Sequence, residues 1–392
     1  MTPFQFLMNC CQQYWQLEPI SQRTDQYRAI DWPVVIATAQ TQGILPLVYQ
    51  YLHQHAWSAL PPTAQTQLTQ AVHQQLQQTF RVVATLRQLL PIFEAAQIPV
   101  LPFKGPILAQ SLYGNVALRR MRDLDLLVYP QDVLRVHELL WQQGYQCCDR
   151  LSAAQLQQRI RANSENALVH SETGSQIDLH WGMVPRYYAC QLPPEELFAQ
   201  AQDSEFQGWR CLSLPPSLQM LMLCLNGLKE GWFELQRLCD LAAGLRRYPD
   251  LDWSAVLALA RRKDGDRALL LGLALTQRIL RVALPSTIEQ AIARDRTLAA
   301  WRERLTNRLL AQDYRDWNLW TQTLLPLRLQ RRPTSQLYSL SQLVLPINER
   351  DLSLGVLPRS LFWLYYPWRL VRLLDKYLRL LWWWWWPSRR KN

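Results

Sequence analysis

The most telling segment of the chain reads Arg119-Arg120-Met121-Arg122-Asp123-Leu124-Asp125-Leu126-Leu127-Val128. Asp123 and Asp125 begin an apolar run that is typical of a β-strand, and alternate residues of a strand project from the same face. The two carboxylates are therefore predicted to point at one spot, where they would repel each other. A divalent cation is the usual partner of such a pair, and Mg²⁺ commonly takes one or two carboxylates together with phosphate oxygens.

The segments around this pair predict a small mixed core. An extended run at 98–103 leads to Lys104 and Gly105, and Gly105 begins a helix. A helix at about 130–143 follows the aspartates, and then come two strand-like runs, at 166–171 and 176–181. Glu172-Thr173-Gly174-Ser175 separates these runs and has the composition of a hairpin turn. A third acid, Asp178, lies in the last run.

Outside this core the apolar residues recur mostly at three- and four-residue steps, as in helices. We therefore predict an α+β fold, with a small mixed-sheet core flanked by N- and C-terminal helical regions. The predicted divisions are a helical region at 1–95, the core at 96–185, a second helical region at 186–350 and a tail at 351–392.

The composition bounds the classes of function. The net charge of +11 suits an anionic partner, such as a nucleotide, a nucleic acid or acidic lipid, although a solvated basic surface is an equally ordinary explanation. Nucleic-acid binding is the least favoured, because no RNA- or DNA-binding motif accompanies the charge. The eight cysteines form no CxxC pair, and with no secretion signal or membrane span in the sequence we expect a cytoplasmic protein with free thiols.

The tail has a composition of its own. It contains five consecutive Trp residues at 382–386, and basic residues recur at Arg369, Arg372, Lys376 and Arg379. This spacing predicts a basic amphipathic helix that lies on the inner face of the membrane and contacts acidic lipid. The alternative is a C-terminal helix packed into a core or into a partner's groove.

The residues around the paired aspartates suit a nucleoside triphosphate with Mg²⁺ or Mn²⁺. Gly105 would permit close approach of the phosphates to the start of a helix, and Lys104 would neutralise one phosphate oxygen. Asp123 and Asp125 would hold the metal, while Asp178 would complete a second metal position or take the proton from an attacking hydroxyl.

Several neighbouring residues have two possible roles. Arg119, Arg120 and Arg122 would bind the triphosphate or acceptor, or would be solvated surface residues. His180 would orient Asp178 from the same strand face or orient a substrate, or it would serve a structural role, which is the more common one. Two residues outside the core, Lys229 and Asp240, would shape an acceptor pocket, although a solvated Lys and a helix-surface Asp are the safer interpretations.

Taken together, these motifs resemble the bacterial family of uncharacterised nucleotidyltransferases, in the polymerase-β-like superfamily. The resemblance covers about 98–182 and extends more loosely to the flanking helices. It rests on Phe103-Lys104-Gly105, Tyr113-Gly114, Arg119-Arg120, Asp123 to Val128, Gly144-Tyr145, Asp178 to Trp181 and, in the looser part, Cys239 to Ala242. Lys104-Gly105 stands where the wider superfamily carries Gly-Ser or Gly-Gly.

The resemblance implies a magnesium-dependent enzyme that moves a nucleoside monophosphate from an NTP to a hydroxyl acceptor on a protein, a sugar or another small molecule. It implies that Asp123 and Asp125 are metal ligands and that Asp178 is the third acid. The alternative is a non-catalytic module that keeps this fold, binds a nucleotide or a partner, and docks at a membrane surface.

Overall fold

The computed structural model describes residues 2–16, 27–147, 163–312, 319–345 and 364–385, together with Leu156 and Ile160. The chain begins with helices, as its apolar periodicity predicts. They are α1 (Pro3–Gln16), α2 (Trp32–Thr41), α3 (Leu45–His55) and α4 (Pro62–Ala95). Asp31 caps α2 by accepting a hydrogen bond from the Val34 amide, which is the role that the sequence Asp-Trp-Pro favours.

A five-stranded sheet follows, with two helices between its first three strands. The elements are β1 (Leu101–Pro102), α5 (Gly105–Tyr113), β2 (Asp123–Leu127), α6 (Val133–Gln142), β3 (Tyr145–Cys147), β4 (Glu165–His170) and β5 (Gln176–His180). The strand order is β1-β2-β5-β4-β3. β2 and β5 are parallel, and the other neighbours are antiparallel, so the sheet is mixed. The predicted α+β class is confirmed.

The C-terminal half is mainly helical, but it also contains a hairpin that the apolar periodicity does not reveal. Its first elements are α7 (Pro194–Gln200), β6 (Gln202–Phe206) and β7 (Trp209–Ser213). The helices that follow are α8 (Pro216–Lys229), α9 (Leu235–Arg247), α10 (Trp253–Arg262), α11 (Asp266–Leu280), α12 (Ser286–Arg294), α13 (Arg296–Ala311), α14 (Leu319–Leu329), α15 (Pro333–Val344) and α16 (Tyr365–Trp385). Gln207 and Gly208, both with positive φ, form the turn between β6 and β7.

The two faces of the sheet pack into two hydrophobic cores. Leu124 and Leu126 of β2 face a smaller core that includes the C-terminal half of α4. Leu127 belongs to the larger core, which is shared with the N- and C-terminal helices. The long α4 contributes to both cores, with Leu68 in the larger and Leu86 in the smaller. The face of β2 that carries the aspartates is therefore the one turned toward the helical regions.

The tail helix is present, but one residue differs from its prediction. Arg369, predicted on a basic surface, is only 5% exposed and donates hydrogen bonds to the carbonyls of Leu343 and Val344 at the end of α15. The segments 346–363 and 386–392, including the last Trp and the basic residues at 389–391, lie outside the described residues, as do the side chains of Lys376 and Arg379. Among the described residues, no helix is both long and apolar enough to cross a membrane.

A buried tryptophan packs between two helices of the C-terminal half. Trp232 is 1% exposed and packs where α8 and α11 each place a glycine, Gly227 and Gly272. A Cβ atom on Gly272 would lie 2.6 Å from Trp232 Cη2 and 2.9 Å from Cys224 Sγ, so an added methyl group has no room. The helices approach closely because these positions are glycine.

We expect Gly272→Ala to lower the free energy of unfolding by about 1–3 kcal/mol, because it overpacks a filled core. Denaturant unfolding measures this cost. In a Trp232→Leu background the same substitution should cost much less, since the indole that it meets is gone. An equal cost in both backgrounds would show that Trp232 is not the obstacle.

Candidate functional site

The site is built on two adjacent parallel strands. Asp125 of β2 pairs in register with Asp178 of β5, and Leu127 pairs with His180. Alternation then places Asp123, Asp125, Asp178 and His180 on one face of the sheet, at neighbouring positions. Leu124, on the opposite face, is fully buried and anchors the strand. The two predicted groups of acids, 53 residues apart in the sequence, are thus side by side.

Asp125 is the centre of the site. It is 5% exposed, and its Oδ1 atom lies 2.8 Å from Lys104 Nζ and 3.2 Å from His180 Nε2. Burial alone would raise the pKa of Asp125, but Lys104 and His180 outweigh burial and hold it well below its usual range. Asp125 is therefore a firmly ionised carboxylate. Lys104, which the sequence placed on a phosphate, here bonds to this carboxylate instead.

A chain of charged groups continues from Asp125 across the strands. His180 is 2% exposed, and its Nδ1 lies 3.2 Å from Glu165 Oε2, without the alignment of a hydrogen bond. Lys229 Nζ lies 2.7 Å from both carboxylate oxygens of Glu165. Burial would lower the pKa of His180, but Asp125 and Glu165 outweigh burial and raise it. The imidazole thus lies between two anions.

Glu165 is a site residue that the sequence did not reveal. It begins β4 and pairs in antiparallel register with His180. Nothing in the local sequence marks it, because its role depends on the register of a strand pair. Lys229 forms an ion pair with Glu165, so it is not the simply solvated lysine that we predicted.

Asp123 is the acid of the site whose charge is least offset by hydrogen bonds or ion pairs. Among the described residues its side chain makes no hydrogen bond and no ion pair, although it is only partly exposed. Burial, and then the charges of Asp125 and Asp178, raise the pKa of Asp123 to about 6. Burial and Asp125 also raise the pKa of Asp178, which accepts a hydrogen bond from Gln176 Nε2 at 2.9 Å. Asp123 is therefore a carboxylate whose burial is not offset by any hydrogen bond or ion pair from the described residues.

The three arginines before β2 have different surroundings. Arg119 is 5% exposed and its Nε lies 3.1 Å from both carboxylate oxygens of Asp240, which is completely buried. Asp240 is thus not the helix-surface residue that we expected, and it also accepts a hydrogen bond from the Tyr113 hydroxyl at 2.8 Å. This network ties the segment before β2 to α5 and α9.

Arg120 and Arg122 lie on either side of Met121 but differ in their bonding. Arg120 donates to Glu234 at 2.7 Å and to the Gln40 carbonyl at 2.6 Å, so it also connects parts of the fold. The Arg122 side chain is exposed and has no hydrogen-bond or ion-pair partner among the described residues. Of the three arginines, Arg122 is the one available to an anionic ligand.

Gly105 begins α5 beside the acids, and its backbone explains why it is glycine. Its φ is +55°, a conformation that side chains disfavour. A Cβ there would meet only ordinary contacts, at 3.8 Å from the Asp123 carbonyl, so backbone conformation and not crowding requires glycine. The start of α5 offers backbone N–H groups and the positive end of a helix dipole.

These residues line a polar cleft of about 270 Å³. Its wall includes Lys104, Gly105, Arg122 and six acids, which are Asp123, Asp125, Glu165, Asp178, Glu230 and Glu234. Ligand atoms of Asp125, Asp178 and His180 lie within 4.8 Å of one another, close enough to share one metal ion. Such an arrangement can bind a divalent cation beside an anionic group.

Comparison with known proteins agrees with the resemblance noted in the sequence. A family model described as uncharacterised nucleotidyltransferase matches residues 28–281, which include the whole five-stranded sheet and the cleft. No curated protein and no solved structure matches the chain.

Proposed function

Because the chain belongs to the uncharacterised nucleotidyltransferase family, we propose that it transfers a nucleoside monophosphate from an NTP to a hydroxyl acceptor with the help of Mg²⁺ or Mn²⁺. The observation that carries the proposal is Asp123, a partly buried acid without a hydrogen-bonding partner among the described residues. Burial, Asp125 and Asp178 raise its pKa to about 6. A partly buried carboxylate without a counter-ion lowers the stability of the fold, and a cation bound to Asp123 would offset that loss.

The donor atoms of the site fit a hard divalent cation. Asp123, Asp125 and Asp178 would supply carboxylate oxygens, the ligands that Mg²⁺ and Mn²⁺ prefer. His180 is close enough to Asp125 and Asp178 to join those two ligands. Imidazole is better suited to Mn²⁺ than to Mg²⁺. When bound, such a metal neutralises phosphate charge and orients the triphosphate for in-line displacement.

Lys104 and Arg122 are the cations of this chain that would meet the triphosphate. Lys104 Nζ now neutralises Asp125. If Asp125 bound the metal, the Lys104 ammonium would be free to contact a phosphate oxygen, which is the role that the sequence predicts. Arg122, exposed and unpaired among the described residues, would contact a second phosphate group. Gly105 and the start of α5 would add backbone donors.

Asp178 would be the general base. Burial and the neighbouring Asp125 raise its pKa, and a carboxylate with a raised pKa is a better proton acceptor. It would take the proton of the acceptor hydroxyl as that oxygen bonds to the α-phosphorus. The bond from phosphorus to the bridging oxygen would break, and pyrophosphate would leave. His180, held between Asp125 and Glu165, would fix the orientation of Asp125.

One contact favours the second candidate, a non-catalytic nucleotide- or partner-binding module. In their ion pair, Lys104 Nζ lies 2.8 Å from Asp125 Oδ1, an oxygen that the proposed metal would need as a ligand. If that pair is permanent, the site would bind an anion but would not perform transfer. Detection of a labelled product decides between the two candidates.

We expect the purified full-length protein to bind NTP at least tenfold more tightly with Mn²⁺ or Mg²⁺ than with EDTA. Isothermal titration with a non-hydrolysable triphosphate analogue measures this difference. The Asp123→Ala/Asp125→Ala variant should lose the metal-dependent part of binding, because two of the three carboxylates are gone.

The matched control is Asp132→Ala, which removes a carboxylate just after the same strand. It should bind as the unmodified protein does. Incubation with α-³²P-labelled NTPs and a cell lysate then tests transfer. If the double alanine variant still bound nucleotide in a metal-dependent way, the proposed metal ligands would be wrong.

A further inference from the structure

The tail helix α16 presents a row of large apolar side chains to solvent. Leu370, Val371, Leu374 and Leu378 are each between 50% and 61% exposed. Their three- and four-residue steps place them along one stripe of the helix. We call these four residues the apolar strip. The described residues that line the cleft all lie outside the tail.

The other side of the helix is held to the rest of the fold. Tyr365 is fully buried, and Arg369 is fixed by the carbonyls of Leu343 and Val344. Val344, whose carbonyl Arg369 contacts, exposes 39% of its own surface. The helix is therefore attached to the fold, and the exposure of the apolar strip does not result from detachment. The fold anchors one side of α16 and leaves the apolar side outward.

The charge of the tail indicates what covers the strip. Residues 361–392 contain seven basic residues and one acidic residue, a large part of the net charge of +11. The spacing of the strip continues in the sequence to Leu381 and Trp385, within the run of five Trp. Apolar residues bordered by Trp and accompanied by Lys and Arg are typical of helices that lie in a membrane interface.

We propose that α16 binds acidic phospholipid surfaces, with its axis in the plane of the interface and the apolar strip inserted among the acyl chains. The basic residues of the tail contact the anionic headgroups. Arg369 is not one of these contacts, because it is buried against α15. The surface binds lipid whether or not the cleft is catalytic, so this inference does not depend on the proposed function.

Co-sedimentation of the full-length protein with vesicles tests the proposal. We expect binding to vesicles of phosphatidylcholine with 30% phosphatidylglycerol, and at least tenfold weaker binding to phosphatidylcholine alone. Leu374→Glu/Leu378→Glu should reduce binding to the acidic vesicles at least tenfold, because it puts two anions into the inserted strip. The matched control is Trp141→Glu, a change at a residue of α6 that is 67% exposed, and it should bind normally.

Charge is tested separately with Arg389→Gln/Arg390→Gln/Lys391→Gln. Each cation near an anionic surface contributes about 1 kcal/mol, so the triple variant should bind about 100-fold more weakly at low salt. Circular dichroism and urea unfolding establish that each variant is folded. Unchanged vesicle binding by the Leu374→Glu/Leu378→Glu variant would overturn the proposal. The proposal would also be overturned if the unmodified protein did not bind vesicles but formed dimers that this variant abolished, because the strip would then be a protein interface.

Discussion

Asp123→Asn will lower nucleotidyl transfer by about a thousandfold or more and, in the absence of metal, will make the protein more stable. The loss of transfer follows from removing a carboxylate that the proposed metal needs. The gain in stability follows from the surroundings of Asp123, a partly buried acid that has two other carboxylates nearby and no bonding partner in the described part of the chain. Asparagine has nearly the same shape and no charge, so it removes this repulsion.

The gain in stability depends on pH in a way that identifies its origin. The pKa of Asp123 is about 6 in the folded protein and about 3.8 when unperturbed. A raised folded-state pKa means that the carboxyl group destabilises the fold once it ionises. The unmodified protein therefore loses stability as pH rises from about 4 to about 6, and Asp123→Asn avoids that loss. A shift of this size corresponds to about 1–3 kcal/mol after allowance for solvent screening.

Urea unfolding in EDTA at pH 4, 6 and 8 measures the difference between the two proteins. It should be near zero at pH 4, and it should reach its full value at pH 8. Mg²⁺ or Mn²⁺ should then stabilise the unmodified protein and have little effect on Asp123→Asn. Asp125→Asn is the contrasting variant, because it leaves Lys104 without its carboxylate and removes one of the two anions beside His180, so it should destabilise the fold. If Asp123→Asn were less stable than the unmodified protein at pH 8 in EDTA, Asp123 would have a structural partner.

Much of this site could be predicted from the sequence, because its main acids lie within short, strongly patterned runs. The alternation in Asp123-Leu124-Asp125-Leu126 gives both the strand and the face on which the carboxylates lie. The sequence also predicts that a helix begins at Gly105, and α5 does begin there, with a positive φ that suits glycine. The predicted hairpin turn at Gly174 places Asp178 on a strand, but it does not tell which strand lies next to that one.

Contacts that depend on distant pairing could not be predicted. Glu165 enters the site only because β4 pairs with β5 in one register, and a shift of one residue would turn it away. The partner of Arg119 lies 121 residues later in the chain, on α9, and no local pattern connects the two. The β6–β7 hairpin was also missed, because its residues alternate weakly between apolar and polar.

Arg119→Met will be among the most destabilising substitutions in the chain, with an expected cost of about 3–5 kcal/mol in the free energy of unfolding. It leaves the Asp240 carboxylate completely buried, and the Tyr113 hydroxyl is then its one hydrogen-bond donor among the described residues. An unpaired buried charge is much more costly than the loss of the ion pair itself. Thermal and urea unfolding measure the change.

Two further variants separate the charge from other effects. Arg119→Met/Asp240→Asn removes both charges and keeps an amide oxygen for Tyr113, so it should recover more than half of the lost stability. Arg120→Met is the matched control, because its partner Glu234 is 24% exposed and water can compensate that carboxylate. It should cost only about 0.5–1 kcal/mol.

The double variant also tests the function of Arg119. The sequence predicts that Arg119 contacts the triphosphate, whereas the structure shows its guanidinium engaged with Asp240 on both carboxylate oxygens. If Arg119 only braces the segment before β2, the folded Arg119→Met/Asp240→Asn protein should bind NTP and metal within about threefold of normal. Arg122→Met should weaken NTP binding at least tenfold, because Arg122 is the arginine of this segment without a partner among the described residues. A tenfold loss in the double variant, with Arg122→Met unaffected, would assign the phosphate contact to Arg119 and leave Arg122 as surface charge.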